Sequence, residues 1–282
     1  MKKILSFLAF AAIATFTACD KVEGPYSETS GGNNNNGDSI VKKVLLEDFT
    51  GHTCQGCPAS HAEALRLQGI YGDRLIVMGI HAGYFAKPQT NPDGSYAYDF
   101  RNQTETDIAT FFNVINQPFP KGMVGRERNT TTNAQDILDF TAWEGRIAAQ
   151  LDEPALAGLK ITNTFDSASR NITATVETKM VSAINDPVRL CVYMVEDSIV
   201  KWQKDGSTNI EFYTHRHALR GSLNGTWGDA LSNPLTAGQI INTSVSGSLV
   251  PADANPDQCY LYAILYNDVT KEIIQVEEKK IK

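Results

Sequence analysis

The sequence lacks an excess of positive charge. Its 282 residues include 25 Lys and Arg against 32 Asp and Glu, which gives a formal net charge of -7. Because a nucleic-acid partner requires a basic face that neutralises phosphates, this balance argues against such a partner. The hydrophobic fraction of 42% is sufficient for buried cores, and the length favours two domains over one.

The sequence also has no apolar run long enough to span a membrane. The longest run, residues 4–16, follows two lysines and ends in Thr17, Ala18 and Cys19. A spanning helix needs about 20 apolar residues, so this pattern is typical of a bacterial export signal. A cysteine directly after a small residue resembles a lipobox, which implies removal of residues 1–18 and lipid on Cys19. A plain secretory peptide with an incidental cysteine is the alternative.

Residues 19–40 are predicted to be a flexible tether behind the lipid anchor. Residues 31–37 read Gly-Gly-Asn-Asn-Asn-Asn-Gly, which cannot bury enough apolar surface to become ordered. Asp20 and Glu23 resemble the acidic signal for display on the outer face of the outer membrane in Bacteroidota. We therefore expect a lipid-anchored, surface-exposed outer-membrane protein, with the membrane as its first partner.

Cysteine is scarce, and two of the five cysteines form the motif Cys54-Gln-Gly-Cys57-Pro58. The motif lies between a predicted strand, residues 41–49, and a predicted helix, residues 58–70, with a second strand at 74–81. Two cysteines separated by two residues in this context are typical of a thioredoxin-type redox motif. The helix N-terminus stabilises a thiolate, so Cys54 is the candidate nucleophile and Cys57 the resolving thiol.

Two further residues fit this interpretation, by resemblance to thioredoxin-like proteins. In those proteins a cis-proline just before a strand packs against the dithiol, and Pro120 precedes a predicted strand at 121–126. They also bury an acid six residues before the first cysteine, which is Asp48 here. Glu47 is the competing acid, because strand alternation lets only one of the two face the dithiol; an acid in solvent is the other alternative. Helices are predicted at 104–114 and 130–150.

The motif departs from thioredoxin, and its histidines allow another chemistry. Thr53 stands where thioredoxins have tryptophan, and Gln-Gly replaces Gly-Pro between the cysteines. The resemblance to thioredoxin therefore does not predict the redox potential of this dithiol or the partners that it recognises. His52 and His61 flank the dithiol, and a soft metal bound by cysteine and histidine is an alternative to redox chemistry. Pro58 excludes covalent c-type haem, which requires histidine there. We expect no cofactor and no metal.

From residue 153 the pattern becomes all-β. Seven predicted strands cover residues 156–165, 172–180, 188–195, 210–219, 239–249, 259–267 and 272–281. The fold class is therefore an α/β thioredoxin-like domain, residues 41–152, followed by an immunoglobulin-like β-sandwich, residues 153–282.

Two residue pairs in this second domain are candidate sites. If the strands that carry Cys191 and Cys259 are antiparallel neighbours, the two cysteines lie at opposite ends of the pair. We therefore predict buried free thiols, with a bridge as the alternative. His215 and His217, two apart on a predicted strand, share a face; a metal there is the less favoured interpretation.

Several motifs together resemble the twenty-eight-kilodalton outer-membrane lipoprotein family of Bacteroidota. They are the lipobox, the segment from Leu46 into the cysteine motif, Phe119-Pro120, the segment Tyr213…Arg220 and Trp227-Gly228. The resemblance implies the two domains above and an outer-membrane location. Members have been proposed as surface antigens or adhesins.

Two functions follow, and the sequence leaves both open. The first is thiol–disulfide exchange by Cys54 and Cys57, with Asp48 as proton acceptor, Pro120 as the clamp on the substrate side and protein thiols or disulfides as partners. The second is a non-enzymatic surface adhesin that binds host ligands, in which Cys54–Cys57 is a structural disulfide.

Overall fold

The computed structural model describes residues 40–282. The predicted signal peptide, the lipidation site Cys19 and the tether up to residue 39 lie outside these residues. Within residues 40–282, no helix is both long and apolar enough to cross a bilayer.

The first half of the described chain alternates strands and helices. Its elements are β1 (Val44–Thr50), α1 (Cys57–Tyr71), β2 (Leu75–His81), α2 (Gln103–Phe111), β3 (Lys121–Val124) and α3 (Trp143–Leu151). β1 and β2 are parallel, and every residue of both strands is buried, as their near-continuous apolar sequences predict. β3 pairs antiparallel with the other edge of β1.

The predicted helix over residues 130–150 is wrong in its first part. The helix spans only Trp143–Leu151, after a short 3-10 turn at Phe140–Ala142. The Asn129 side chain accepts hydrogen bonds from the backbone N–H groups of Thr131 and Thr132. Polar side chains that bond the local backbone in this way favour turns over helix.

The second half is all-β, with more strands than the seven predicted. They are β4 (Ala157–Asp166), β5 (Asn171–Met180), β6 (Val188–Glu196), β7 (Ile199–Asp205), β8 (Thr208–His215), β9 (Ala218–Ser222), β10 (Asp229–Ala230), β11 (Ile240–Ser248), β12 (Cys259–Asn267) and β13 (Ile273–Lys280). β7 and β10 were not predicted, and the strand predicted at residues 210–219 is in fact two strands, β8 and β9.

The chain is a mixed α/β protein in which one sheet crosses the expected domain boundary. The eight-stranded sheet has the order β13-β12-β6-β9-β2-β1-β3, with β10 paired to β6. β9 joins β2 in parallel at Gly79 and Ala218. A three-stranded sheet, β11-β5-β4, packs its apolar face against β6, β12 and β13. β7 and β8 form a separate two-stranded hairpin.

The two cysteines of the second half are free and buried, as predicted. β6 and β12 are antiparallel neighbours whose register pairs Cys191 with Ile264 and Cys259 with Glu196. The two thiols therefore lie several residues apart along the pair, beyond the reach of a disulfide. Burial raises the pKa of Cys191 to about 11 and that of Cys259 to about 12, so both stay protonated and inert.

Candidate functional site

The two motif cysteines lie at the turn from β1 into α1, and a disulfide joins them. α1 begins at Cys57, with Pro58 in its first turn, where the missing N–H has no cost. Gly51 precedes the turn, and a Cβ there would lie only 2.4 Å from the Phe85 carbonyl carbon. Only glycine lets the chain pass this close to its neighbour.

Pro120 packs against the cysteine turn. The Phe119–Pro120 peptide bond is cis, as predicted, and Pro120 directly precedes β3. A Cβ added to Gly56, between the cysteines, would lie 3.3 Å from the Pro120 Cδ. The glycine and the proline ring are thus in near contact across the turn.

Glu47 and Asp48 point to opposite sides of β1, as strand alternation requires. Glu47 forms a bidentate pair with Arg126, with N···O distances of 2.7 and 2.9 Å, and both side chains are fully buried. Asp48 instead faces α1, where the Ser60 hydroxyl lies 3.3 and 3.4 Å from its carboxyl oxygens. The same hydroxyl donates to the Cys57 carbonyl at 2.9 Å, so Ser60 connects Asp48 to the backbone of the second cysteine.

Within the described residues, 40–282, no lysine or arginine forms an ion pair with Asp48. Burial raises the pKa of Asp48 to about 8, and the Ser60 hydroxyl lowers it only in part. The nearest basic group is His61, whose Nε2 lies 3.6 Å from the Asp48 carboxyl. Burial also lowers the pKa of His61 to about 4, so at neutral pH the two side chains form a neutral pair.

His61 bridges the acid to the second half of the chain. Its Nε2 lies 2.9 Å from the Thr50 hydroxyl, and its Nδ1 shares a 2.7 Å hydrogen bond with the Tyr213 hydroxyl. Tyr213 belongs to β8, more than 150 residues away in sequence. Sequence reasoning missed Ser60, although it lies three residues after Cys57 on α1, and it missed the role of Tyr213, which has no spacing relation to the motif.

The β7–β8 hairpin lies over the cysteine turn, which sequence reasoning also missed. The Gln203 side chain donates to the Cys54 carbonyl at 3.0 Å. The backbone N–H groups of Lys204 and Gly206 donate to the carbonyls of His52 and Gln55, at 2.8 and 3.0 Å. Cys54 is 1% exposed and Cys57 0%. An Asp-Gly pair between two strand-forming segments is a strong hairpin signal. Asp205-Gly206 is such a pair, and the hairpin could have been predicted from it.

The histidines do not form the metal sites considered from sequence. The His52 Nε2 donates to the Lys87 carbonyl at 3.1 Å. His61 instead contacts the hydroxyls of Thr50 and Tyr213, so, within the described residues, the two histidines have no hydrogen-bond partner in common. The expectation that His215 and His217 share a strand face is wrong, because β8 ends at His215 and β9 begins after His217. Among residues 40–282, no three His, Cys, Asp or Glu side chains are grouped to hold a metal ion.

The fold and the site define a mixed α/β protein, rich in β-sheet, with a disulfide at a strand-to-helix turn. The family model for outer membrane protein Omp28 matches residues 109–282. This chain therefore belongs to the Omp28 family, as the sequence motifs predicted, and is an outer-membrane protein.

Solved structures from Porphyromonas gingivalis are among those similar to this chain. HBP35 is 18% identical, with a TM-score of 0.62 over 86% of this chain and 76% of its own. A domain of the outer membrane lipoprotein Omp28 is 19% identical, with a TM-score of 0.34 over 46% of this chain and 91% of its own. At this identity the HBP35 likeness concerns the fold alone. No curated protein matches the chain.

Proposed function

We propose that this chain is a lipid-anchored, surface-exposed outer-membrane protein that carries out thiol–disulfide exchange at Cys54 and Cys57. Lipid on Cys19 and the tether at residues 19–40 hold it at the membrane. Residues 41–152 form a thioredoxin-like domain, and residues 153–282 an immunoglobulin-like domain that shares a sheet with it. The order β1, cysteine turn, α1, β2 and the proline before β3 support the first assignment. The packing of β11-β5-β4 on β6, β12 and β13 supports the second.

The observation that carries the exchange proposal is the uncompensated Asp48. A buried carboxyl without a cation is unfavourable for stability, and a purely structural disulfide has no need of one. Glu47, its neighbour on β1, shows the ordinary solution, a buried pair with Arg126. Asp48 is instead a proton carrier with a pKa of about 8, tied through Ser60 to the helix turn that holds Cys57.

The exchange reaction can be written with these groups. A partner thiolate attacks the Cys54 sulfur, a new S–S bond forms, and the Cys54–Cys57 bond breaks. The electron pair leaves on Cys57, and the protonated Asp48 supplies the proton that converts this thiolate to a thiol. In the reverse direction ionised Asp48 takes that proton back, so Cys57 can displace the partner from Cys54.

A redox titration of the full chain in detergent tests this function. The disulfide is equilibrated in glutathione or dithiothreitol buffers, and the free thiols are counted by alkylation and mass spectrometry. A potential above about -300 mV, with a pH dependence that changes in Asp48→Asn, supports exchange. A couple that stays oxidised far below that potential identifies a structural disulfide.

A second candidate function is a surface binding protein with a permanent disulfide. The burial of both sulfur atoms favours it, because no thiol reaches Cys54 in this conformation. Under this hypothesis the double variant Cys54→Ser, Cys57→Ser keeps its binding to host cells or matrix. Loss of that binding, with the circular dichroism spectrum unchanged, contradicts it.

A further inference from the structure

The β7–β8 hairpin, residues 199–215, covers the disulfide through hydrogen bonds to the cysteine turn. We call it the covering hairpin. Its donors are two backbone N–H groups and one side-chain amide, and its acceptors are the carbonyls of His52, Cys54 and Gln55. Gln203 supplies the amide and is itself fully buried. All three hydrogen bonds run from donors on the hairpin to carbonyls of the turn.

Side-chain contacts outside the cysteine turn also hold the covering hairpin, including Ile199 and His215 against Phe100. The Tyr213 hydroxyl contacts His61, and Asn209 accepts a 2.7 Å hydrogen bond from the Tyr96 hydroxyl. β7 and β8 pair with each other and with no strand of the two larger sheets. The hairpin tip, residues 205–209, is exposed. A short hairpin outside the main sheets can open at a smaller free-energy cost than the whole fold.

We propose that the covering hairpin occupies the surface on which an extended polypeptide segment of an exchange partner binds, and that it moves off Cys54 before the disulfide reacts. The proposal rests on the proposed exchange function. When the hairpin leaves, the carbonyls of His52, Cys54 and Gln55 lose their donors. A partner segment with free backbone N–H groups and one cysteine satisfies them and brings its thiolate to the Cys54 sulfur. The bond changes are those of the exchange step above, with the partner cysteine as reductant.

The first test measures how fast excess dithiothreitol reduces Cys54–Cys57 in the full chain in detergent. Gln203→Ala removes the side chain that holds the hairpin to the Cys54 carbonyl. Gln275→Ala is the matched control, because Gln275 is also buried and donates to the carbonyls of Val41 and Ala157 instead. A hydrogen bond of ordinary net strength corresponds to about five- to tenfold in the opening equilibrium.

The expected result is reduction about five- to tenfold faster in Gln203→Ala and within about twofold of wild type in Gln275→Ala. Equal acceleration in both variants means that reduction follows global unfolding and overturns the proposal. No acceleration in Gln203→Ala also overturns it. If Gln203→Ala fails to fold, Tyr213→Phe takes its place, since it removes only the hydroxyl that contacts His61.

The second test concerns the partner surface. The probes are a short unstructured peptide with one cysteine and the same peptide with methylated backbone nitrogens. The unmodified peptide is expected to form the mixed disulfide with Gln203→Ala faster than its methylated analogue. Equal rates refute binding to the carbonyls. The equilibrium potential is a separate readout, so a potential far below about -300 mV ends the exchange function even if the hairpin opens as proposed.

Discussion

Replacing Asp48 with asparagine is expected to stabilise the protein at neutral pH. Burial raises the pKa of Asp48 from 3.8 to about 8, so the folded protein keeps this proton where the unfolded chain has lost it. Each pH unit between 3.8 and 7 then costs about 1.4 kcal/mol of stability, which sums to roughly 4 kcal/mol at pH 7 as an upper value. Asparagine has a similar shape, can accept from Ser60 and has no proton to lose.

The sign of the effect fixes its pH dependence. The pKa of Asp48 is higher in the folded protein than in the unfolded chain. The free energy of unfolding of the wild type is therefore not reduced by Asp48 below about pH 4, and it decreases as the pH rises from there to about 8. The free energies of unfolding of Asp48→Asn and wild type should therefore coincide near pH 4. They should diverge by roughly 1.4 kcal/mol per pH unit up to about pH 8 and stay parallel above it.

Urea unfolding of the oxidised protein between pH 4 and 9, followed by circular dichroism, measures this difference. Asp139→Asn is the control, because Asp139 is an exposed acid whose ion pair with Lys121 lies at the surface. Its expected effect is below about 1 kcal/mol at every pH. If Asp48→Asn is less stable than wild type at pH 7, or differs by the same amount at every pH, Asp48 is ionised in the fold and the reasoning fails.

Three further outcomes follow from other buried contacts. Glu47→Gln leaves Arg126 buried without its counter-ion and should lower the unfolding free energy by about 3–5 kcal/mol in urea titrations; an unchanged midpoint would show that Arg126 finds another acceptor. Gly122→Ala should cost about 1–3 kcal/mol, since its Cβ would lie 2.6 Å from the Trp143 ring, and a thermal midpoint equal to wild type would contradict this. Burial lowers the pKa of His215 to about 3, so below about pH 6.5 the unfolded chain takes up a proton at this imidazole and the folded protein does not. The free energy of unfolding should therefore fall as the pH drops below about 6.5. In His215→Asn this decrease with falling pH should be smaller.

Local sequence patterns predicted the elements around the cysteine turn well. The apolar runs of β1 and β2, the helix that begins at Cys57, and the proline before β3 all follow from short-range rules. The alternation of β1 also limited the two acids to opposite faces. Those rules failed where a side chain forms hydrogen bonds with the local backbone, as Asn129 does. The helix predicted at residues 130–150 therefore begins only at Trp143.

What the sequence alone determined is therefore the chemistry of the site: a dithiol at a helix start, a choice between two acids, and a proline close by. Tertiary structure decided which acid is paired, because only the fold brings Arg126 to Glu47 and leaves Asp48 with neutral partners. It also decided whether the disulfide is accessible. The covering hairpin contacts Cys54 although the two are about 150 residues apart in sequence. Contacts between residues so far apart produce no periodic pattern from which they could be predicted.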